Sequence, residues 1–161
     1  MIQQIPAAKL NHMSFPSDDM GATVAFFEKY LGFSVSMIAR DTYAILKRPG
    51  MDVVIENVSA TSPALQSRDE SETRPPAFAE NVGQRGEVKW PGSFHIGLEF
   101  ATRDDIVRVK DSLASDGFAA ETGIFNNDRG SRFFLRAPGG VLIEFNTRSD
   151  ASEAYRGTFD S

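Results

Sequence analysis

The sequence predicts an α+β fold in which a βαβββ unit is used twice, its strands pairing into a curled mixed sheet. Two observations carry this. The same parts recur in the same order in both halves of the chain, and within each half short segments with apolar residues at every second position surround one segment with apolar residues three or four apart. With 161 residues, 41% of them hydrophobic, the chain has material for one domain with a sizeable core and too little for two ordinary ones.

The first half runs LNHMSF, DDMGATVAFFEKYLGF and YAILKRPGMDVVIEN; the second runs SFHIGL, DDIVRVKDSLASDGF and FFLRAPGGVLIEF. His12 corresponds to His95 at an offset of 83, Gly32-Phe33 to Gly117-Phe118 at 85, Glu56 to Glu144 at 88, and Pro49-Gly50 to Pro138-Gly139 at 89. Drift of a few residues is what short loop insertions do to two copies of one unit. The first unit is expected over 8–57 and the second over 93–146, joined by a linker over 58–92 and followed by a tail over 147–161.

Each element has a local reason. Leu10 to Phe15 and Phe94 to Phe100 alternate as half-buried strands do, and the wholly apolar face of Phe94, Ile96, Leu98 and Phe100 requires a helix packed on it. That helix follows in both copies. Asp18 or Asp19 caps one that reaches about Tyr30, with Val24, Phe27 and Leu31 on its buried face and Gly32 as its left-handed stop; Asp104, Ile106, Val109, Leu113 and Gly117 repeat the pattern. Strands at Ser34 to Ala39, Thr42 to Lys47 and Met51 to Asn57 complete copy one, and the Pro-Gly pairs mark the turn before each last strand. The linker is rich in Ser, Pro, Glu, Arg and Gly, and a connection of this length reads as a lid or strap with Phe78 and Trp90 as anchors. The polar tail reads as a frayed end or a dimer arm.

Several function classes are excluded by composition. A net charge of −5 with acids and bases interspersed leaves no basic stripe for nucleic acid. No run approaches the ~20 apolar residues of a membrane span, and the start MIQQIPAAKL lacks a signal-peptide pattern, so a cytosolic protein is expected. Without cysteine, metal chemistry falls to oxygen and imidazole groups.

His12 and His95 are the two histidines, and both sit inside apolar strands, as do Glu56 and Glu144. Buried charge of this kind is costly without a partner. Asp52, Val54 and Glu56 share one face, Leu142 and Glu144 another, and a concave sheet turns both glutamates toward the histidines. Two His and two Glu suit Zn, Ni, Co, Mn or ferrous iron without choosing among them. Taken singly, a strand histidine is more often a packed residue than a ligand and a strand glutamate usually faces solvent; the repeated pairing is what favours metal. Glu99 shares the face of His95 and reads equally as a solvated strand end. Arg129, Arg132 and Arg136 suit an anionic substrate or a solvated surface.

The series of His12 before a helix ending YLGF, FHIGLEF carrying His95 and RAPGGVLIEF carrying Glu144 resembles the vicinal oxygen chelate superfamily of glyoxalase I, bleomycin and fosfomycin resistance proteins and extradiol dioxygenases. The resemblance implies a cup-shaped paired βαβββ fold, one divalent ion held by His12, Glu56, His95 and Glu144, a small-molecule substrate bound through neighbouring oxygens, and frequently a homodimer with sites built across its interface. Glu56 in VVIEN is similar to glyoxalase I, which implies a lyase or isomerase with Glu144 or Glu56 moving a proton. The positions at which that enzyme holds glutathione are Pro16 and Ala60 here, so the substrate is expected to lack glutathione. DRGSRFFLRAPGGVLIEFNT resembles ring-cleaving dioxygenases, implying the alternative of ferrous iron on His12, His95 and Glu144, with Tyr43 the only weak stand-in for their proton-transferring histidine. A third possibility is a non-catalytic drug-binding protein whose pocket is lined by Phe26, Phe125 and Phe134.

Overall fold

The computed structural model describes residues 10–40, 42–59 and 88–157. Two four-stranded mixed sheets form, each from one βαβββ run. The first holds β1 (His12–Ser17), β2 (Ser34–Ala39), β3 (Tyr43–Lys47) and β4 (Asp52–Asn57) in the order β1-β4-β3-β2. The second holds β5 (His95–Glu99), β6 (Phe125–Asn127), β7 (Gly130–Arg136) and β8 (Leu142–Asn146) in the order β5-β8-β7-β6. In each sheet the first and last strands of the run are parallel neighbours, with the helix as the crossover between the first two.

Helix α1 (Met20–Leu31) starts where the Asp19 carboxylate accepts the Ala22 N–H, and it ends at Gly32, whose φ of 69° is the left-handed stop the sequence predicts. Helix α2 (Arg103–Ser115) begins two residues earlier than a cap at Asp104 implies. Thr102 is its cap, exchanging hydrogen bonds with Asp105 in a capping box. A short helix, α3 (Glu153–Arg156), follows β8.

The core is a single cluster. Phe15, Ala44, Leu46, Val53 and Ile55 of the first sheet pack beneath α1, and Leu98, Phe133, Leu135, Ile143 and Phe145 of the second pack with Ile106 and Leu113 of α2. Phe133 and Phe145 are register partners with rings stacked at 4.8 Å. Helix α1 is buried on two sides. Phe27 contacts Phe15 and Phe33 of its own half, while Phe26 and Tyr30 contact Phe118 of the other. The Thr23 hydroxyl, on that second side, donates to Pro138 O at 2.8 Å, joining the N-terminus of α1 to the β7–β8 turn.

Trp90 is the part of the expected linker that the structure describes as an anchor. Its Nε1 donates to Gly139 O at 2.8 Å, and its ring stacks on Phe94 and meets Phe15 edge-on. Phe78 and the lid or strap reading fall on 60–87, outside the described residues. The tail is no frayed end as far as residue 157. Thr147 is fully buried, and Ser152 N–H donates to Asp128 O at 2.9 Å. Among the described residues no helix is long and apolar enough to cross a membrane.

Candidate metal centre

Away from the helices each sheet presents its other face. On the second sheet this face carries His95, Gly97 and Glu99 of β5, Glu144 and Asn146 of β8, Arg132 and Phe134 of β7, and Phe125 of β6, as two-residue alternation and the strand register require. Glu144 lies opposite Gly97, two positions along from His95, and the two side chains close the gap: His95 Nε2 is 3.4 Å from Glu144 Oε2. His95 Nδ1 is 3.0 Å from the Ser93 carbonyl. A carbonyl only accepts, so Nδ1 carries a hydrogen, and Nε2 is the ring nitrogen turned toward the carboxylate. Gly97, the register partner of Glu144, brings no side chain to this face, and a Cβ there would meet Asn146 Nδ2 at 3.7 Å.

Glu144 is buried, 6% exposed, and its other oxygen faces a cation. Arg132 Nη1 is 3.8 Å from Glu144 Oε1, and Arg132 itself is only 4% exposed. Its Nη2 donates to Asn127 Oδ1 at 2.6 Å and to Gly130 O at 3.3 Å, while Nε is buried without a hydrogen-bond partner among the described residues. Burial pulls the guanidinium below its ordinary value; Glu144 opposes that pull, and Arg129 and Arg148 reinforce it. The Arg132 guanidinium also lies 5.8 Å over the Phe125 ring, which stacks on Phe134, and Phe134 meets His95 edge-on.

The first sheet arranges its residues differently. His12 is exposed with Nδ1 2.8 Å from Asn11 Oδ1, and the Ser14 hydroxyl donates to Glu56 Oε1 at 2.9 Å. His12, Ser14 and Pro16 stand opposite Asp52, Val54 and Glu56. Measured from the histidine of each half, the position matching Glu144 is therefore Val54, and Glu56 matches Asn146, two residues further on. The sequence correspondence of Glu56 with Glu144 is therefore two residues out of strand register, and the extra glycine after the proline of the second turn, Gly139-Gly140, accounts for one of the two. Glu56 remains on the His12 face.

The structure thus brings His95 and Glu144 together, and places His12 and Glu56 on one face of the other sheet. Among the described residues no three His, Asp or Glu side chains form a group able to hold a metal. His95 Nε2 and Glu144 Oε2, an imidazole nitrogen and a carboxylate oxygen side by side, are donors of the kind a divalent cation takes, whereas His12 and Glu56 stand four residues apart in the register of the first sheet. Glu99 pairs with Arg148 at 3.5 Å, and Arg136 is held by Glu121 at 2.7 Å. Tyr43 O–H points to Met37 Sδ at 4.0 Å, and Phe26 is buried in the core rather than lining a pocket. Sequence reasoning offered Arg132 as an anion clamp or a solvated surface charge, whereas it is 4% exposed, and it missed Asn127 as the anchor of that guanidinium. Its even spacing from Phe134 on the strand that pairs with Glu144 was the available signal.

Comparison with known proteins follows the same lines. No curated protein is similar in sequence at a significant level. A possible glyoxalase from Bacillus cereus is similar in structure at a TM-score of 0.61, with 20% identity over 87% of this chain and 99% of that one. A glyoxalase/bleomycin resistance protein/dioxygenase from Nocardioides matches at 0.61, with 14% identity over 90% of this chain and 86% of its own. The lactoylglutathione lyase of Agrobacterium tumefaciens matches at 0.59, with 13% identity over 89% and 96%. At these identities the likeness is one of fold. The sequence profile of one family matches residues 9–145, both βαβββ runs from first strand to last, and the chain belongs to that family, the Glyoxalase/Bleomycin resistance protein/Dioxygenase superfamily.

Proposed function

We propose that the protein is a divalent-metal-dependent lyase or isomerase of the glyoxalase kind, acting as a homodimer on a small oxygenated substrate that carries no glutathione. The observation that carries this reading is the His95–Glu144 pair, an imidazole nitrogen 3.4 Å from a buried carboxylate on adjacent strands. His12 and Glu56 would supply the remaining donors. They lie on the helix-free face of the first sheet, so a second copy that sets this face against the second sheet of its partner would complete a set of two nitrogens and two carboxylates.

A bound divalent ion would supply Lewis acidity toward a carbonyl oxygen. The chain supplies the rest. Ser93 fixes the His95 ring and its tautomer, and Gly97 leaves room beside Glu144 for a substrate. Glu144 Oε2 takes the proton from the carbon next to the carbonyl and returns it to the neighbouring atom. Glu56 is the second carboxylate suited to that step, with Ser14 holding its Oε1.

Elemental analysis of the wild type beside His95→Ala, with the mass of each in solution, tests this. The expectation is a dimer with about one divalent ion per chain, lost in the variant. A monomer that takes up no zinc, nickel, cobalt or manganese would overturn it.

Two observations favour a second reading, a ferrous ring-cleaving dioxygenase on His12, His95 and Glu144. Glu56 stands one strand step away from the place of Glu144, which leaves a two-histidine, one-carboxylate set. The stacked Phe125 and Phe134 beside His95 offer a platform for a flat ring. Iron in the purified protein and oxygen uptake with catechol would select this reading over the first.

A further inference from the structure

Arg132 is a buried cation that is not fully used. Removing a guanidinium from water costs several kcal/mol unless it is paired and hydrogen-bonded. Two of its nitrogens have roles here: Nη2 is bound to Asn127 and Gly130, and Nη1 faces Glu144, whereas Nε has no partner among the described residues. The facing carboxylate stops short of closing the pair, since 3.8 Å is beyond hydrogen-bond range. Glu144 is divided the other way as well, with Oε2 3.4 Å from His95 Nε2. The carboxylate therefore sits between two incomplete attachments, and only the cation is tied down from behind, by an asparagine side chain and a carbonyl on the β6–β7 turn.

We infer that Arg132 is a positioning residue that competes with the metal for Glu144, receiving the carboxylate whenever it leaves the ion. The inference rests on the metal-dependent reading above and deepens it. A carboxylate that must both hold an ion and move a proton needs a second stable position, and a fixed guanidinium is the counter-charge that makes one. A cation so placed also repels a divalent ion directly. Both effects make the metal bind less tightly than its ligands alone would allow, and Asn127 limits both by holding the guanidinium back from Glu144.

The test is titration of Co2+ into the metal-free full-length protein, read by visible absorption, which also reports whether the ligand set is intact. Arg132→Met should bind Co2+ roughly tenfold tighter or more, as expected for removal of a unit charge near a divalent ion. Arg132→Lys, which keeps the charge, should stay within about threefold of the wild type. Asn127 is exposed, so Asn127→Ala leaves the core untouched. It should free the guanidinium to close on Glu144 and weaken Co2+ binding by about threefold or more. A merely structural role would weaken binding in both Arg132→Met and Asn127→Ala. Weaker or unchanged binding in a folded Arg132→Met, or unchanged binding in Asn127→Ala, overturns the inference and leaves the metal-dependent reading standing. No Co2+ on any variant or on the wild type overturns both.

Discussion

Gly139 carries more of the structure than its size implies. Its φ is +77°, and a Cβ there would run into Ser17 Oγ and Thr23 Oγ1, the two hydroxyls that hold the N-terminus of α1 against the β7–β8 turn. Its sequence counterpart Gly50, at φ +91°, has open space around it. Gly139→Ala should therefore destabilise by about 2–4 kcal/mol, backbone strain plus overpacking, whereas Gly50→Ala should cost only the strain, about 1 kcal/mol. Denaturant unfolding of the two variants checks the difference. The repeat made both glycines legible as turn residues, because a Pro-Gly pair marks a turn whatever lies beyond it. The contact that separates them is tertiary, and no local pattern encodes it. Glu56 has the same lesson in reverse. Its type and its face were legible, but its place along the strand, two residues from that of Glu144, is set by pairing register, which a landmark count passes over.

At the level of elements, the period-two and three-to-four patterns placed all four strands and the helix of the first half to within two residues. The second row on α1 was not read, because Thr23 and Tyr30 look like a solvated face until Pro138 and Phe118 arrive from the other half. The tail was misread for a related reason. Its polar residues are spent on the β6–β7 hairpin: Asp150 accepts from Ser131 N at 2.9 Å, Ser131 Oγ at 2.5 Å and Asn126 Nδ2 at 2.8 Å. Burial pushes the Asp150 carboxyl up, but the Ser131 hydrogen bonds and the nearby Arg103 charge outweigh it, and the net position is below the ordinary 3.8. A group depressed on folding adds stability that is present above its unfolded value and lost as pH falls through its folded one. Asp150→Asn should thus lower stability at neutral pH by about 1–2 kcal/mol and flatten the loss below about pH 4. Melting temperature against pH from 2 to 7 is the measurement.

For the whole molecule, the two halves meet along a seam made of α1, Phe118, the β7–β8 turn and Trp90. Trp90 touches Phe15 of the first sheet and Gly139 of the second half, so its fluorescence reports on the seam. Since the core is one cluster, loss of Trp90 fluorescence and of far-ultraviolet ellipticity should follow a single transition with one midpoint. Two separated midpoints would mean that the halves unfold independently.

The doubly buried α1 also bears on how the chain is made. Synthesis proceeds from the N-terminus, and the first sheet can close over one side of the helix as soon as β4 has emerged. The other side must wait for Pro138, which lies 115 residues after Thr23. At about 5–20 residues per second that is an interval on the order of ten seconds with Phe26 and Tyr30 uncovered. The nascent first half is thus a natural client for a chaperone that holds apolar surface, and slowing translation of the second half would lengthen its exposure to misassembly.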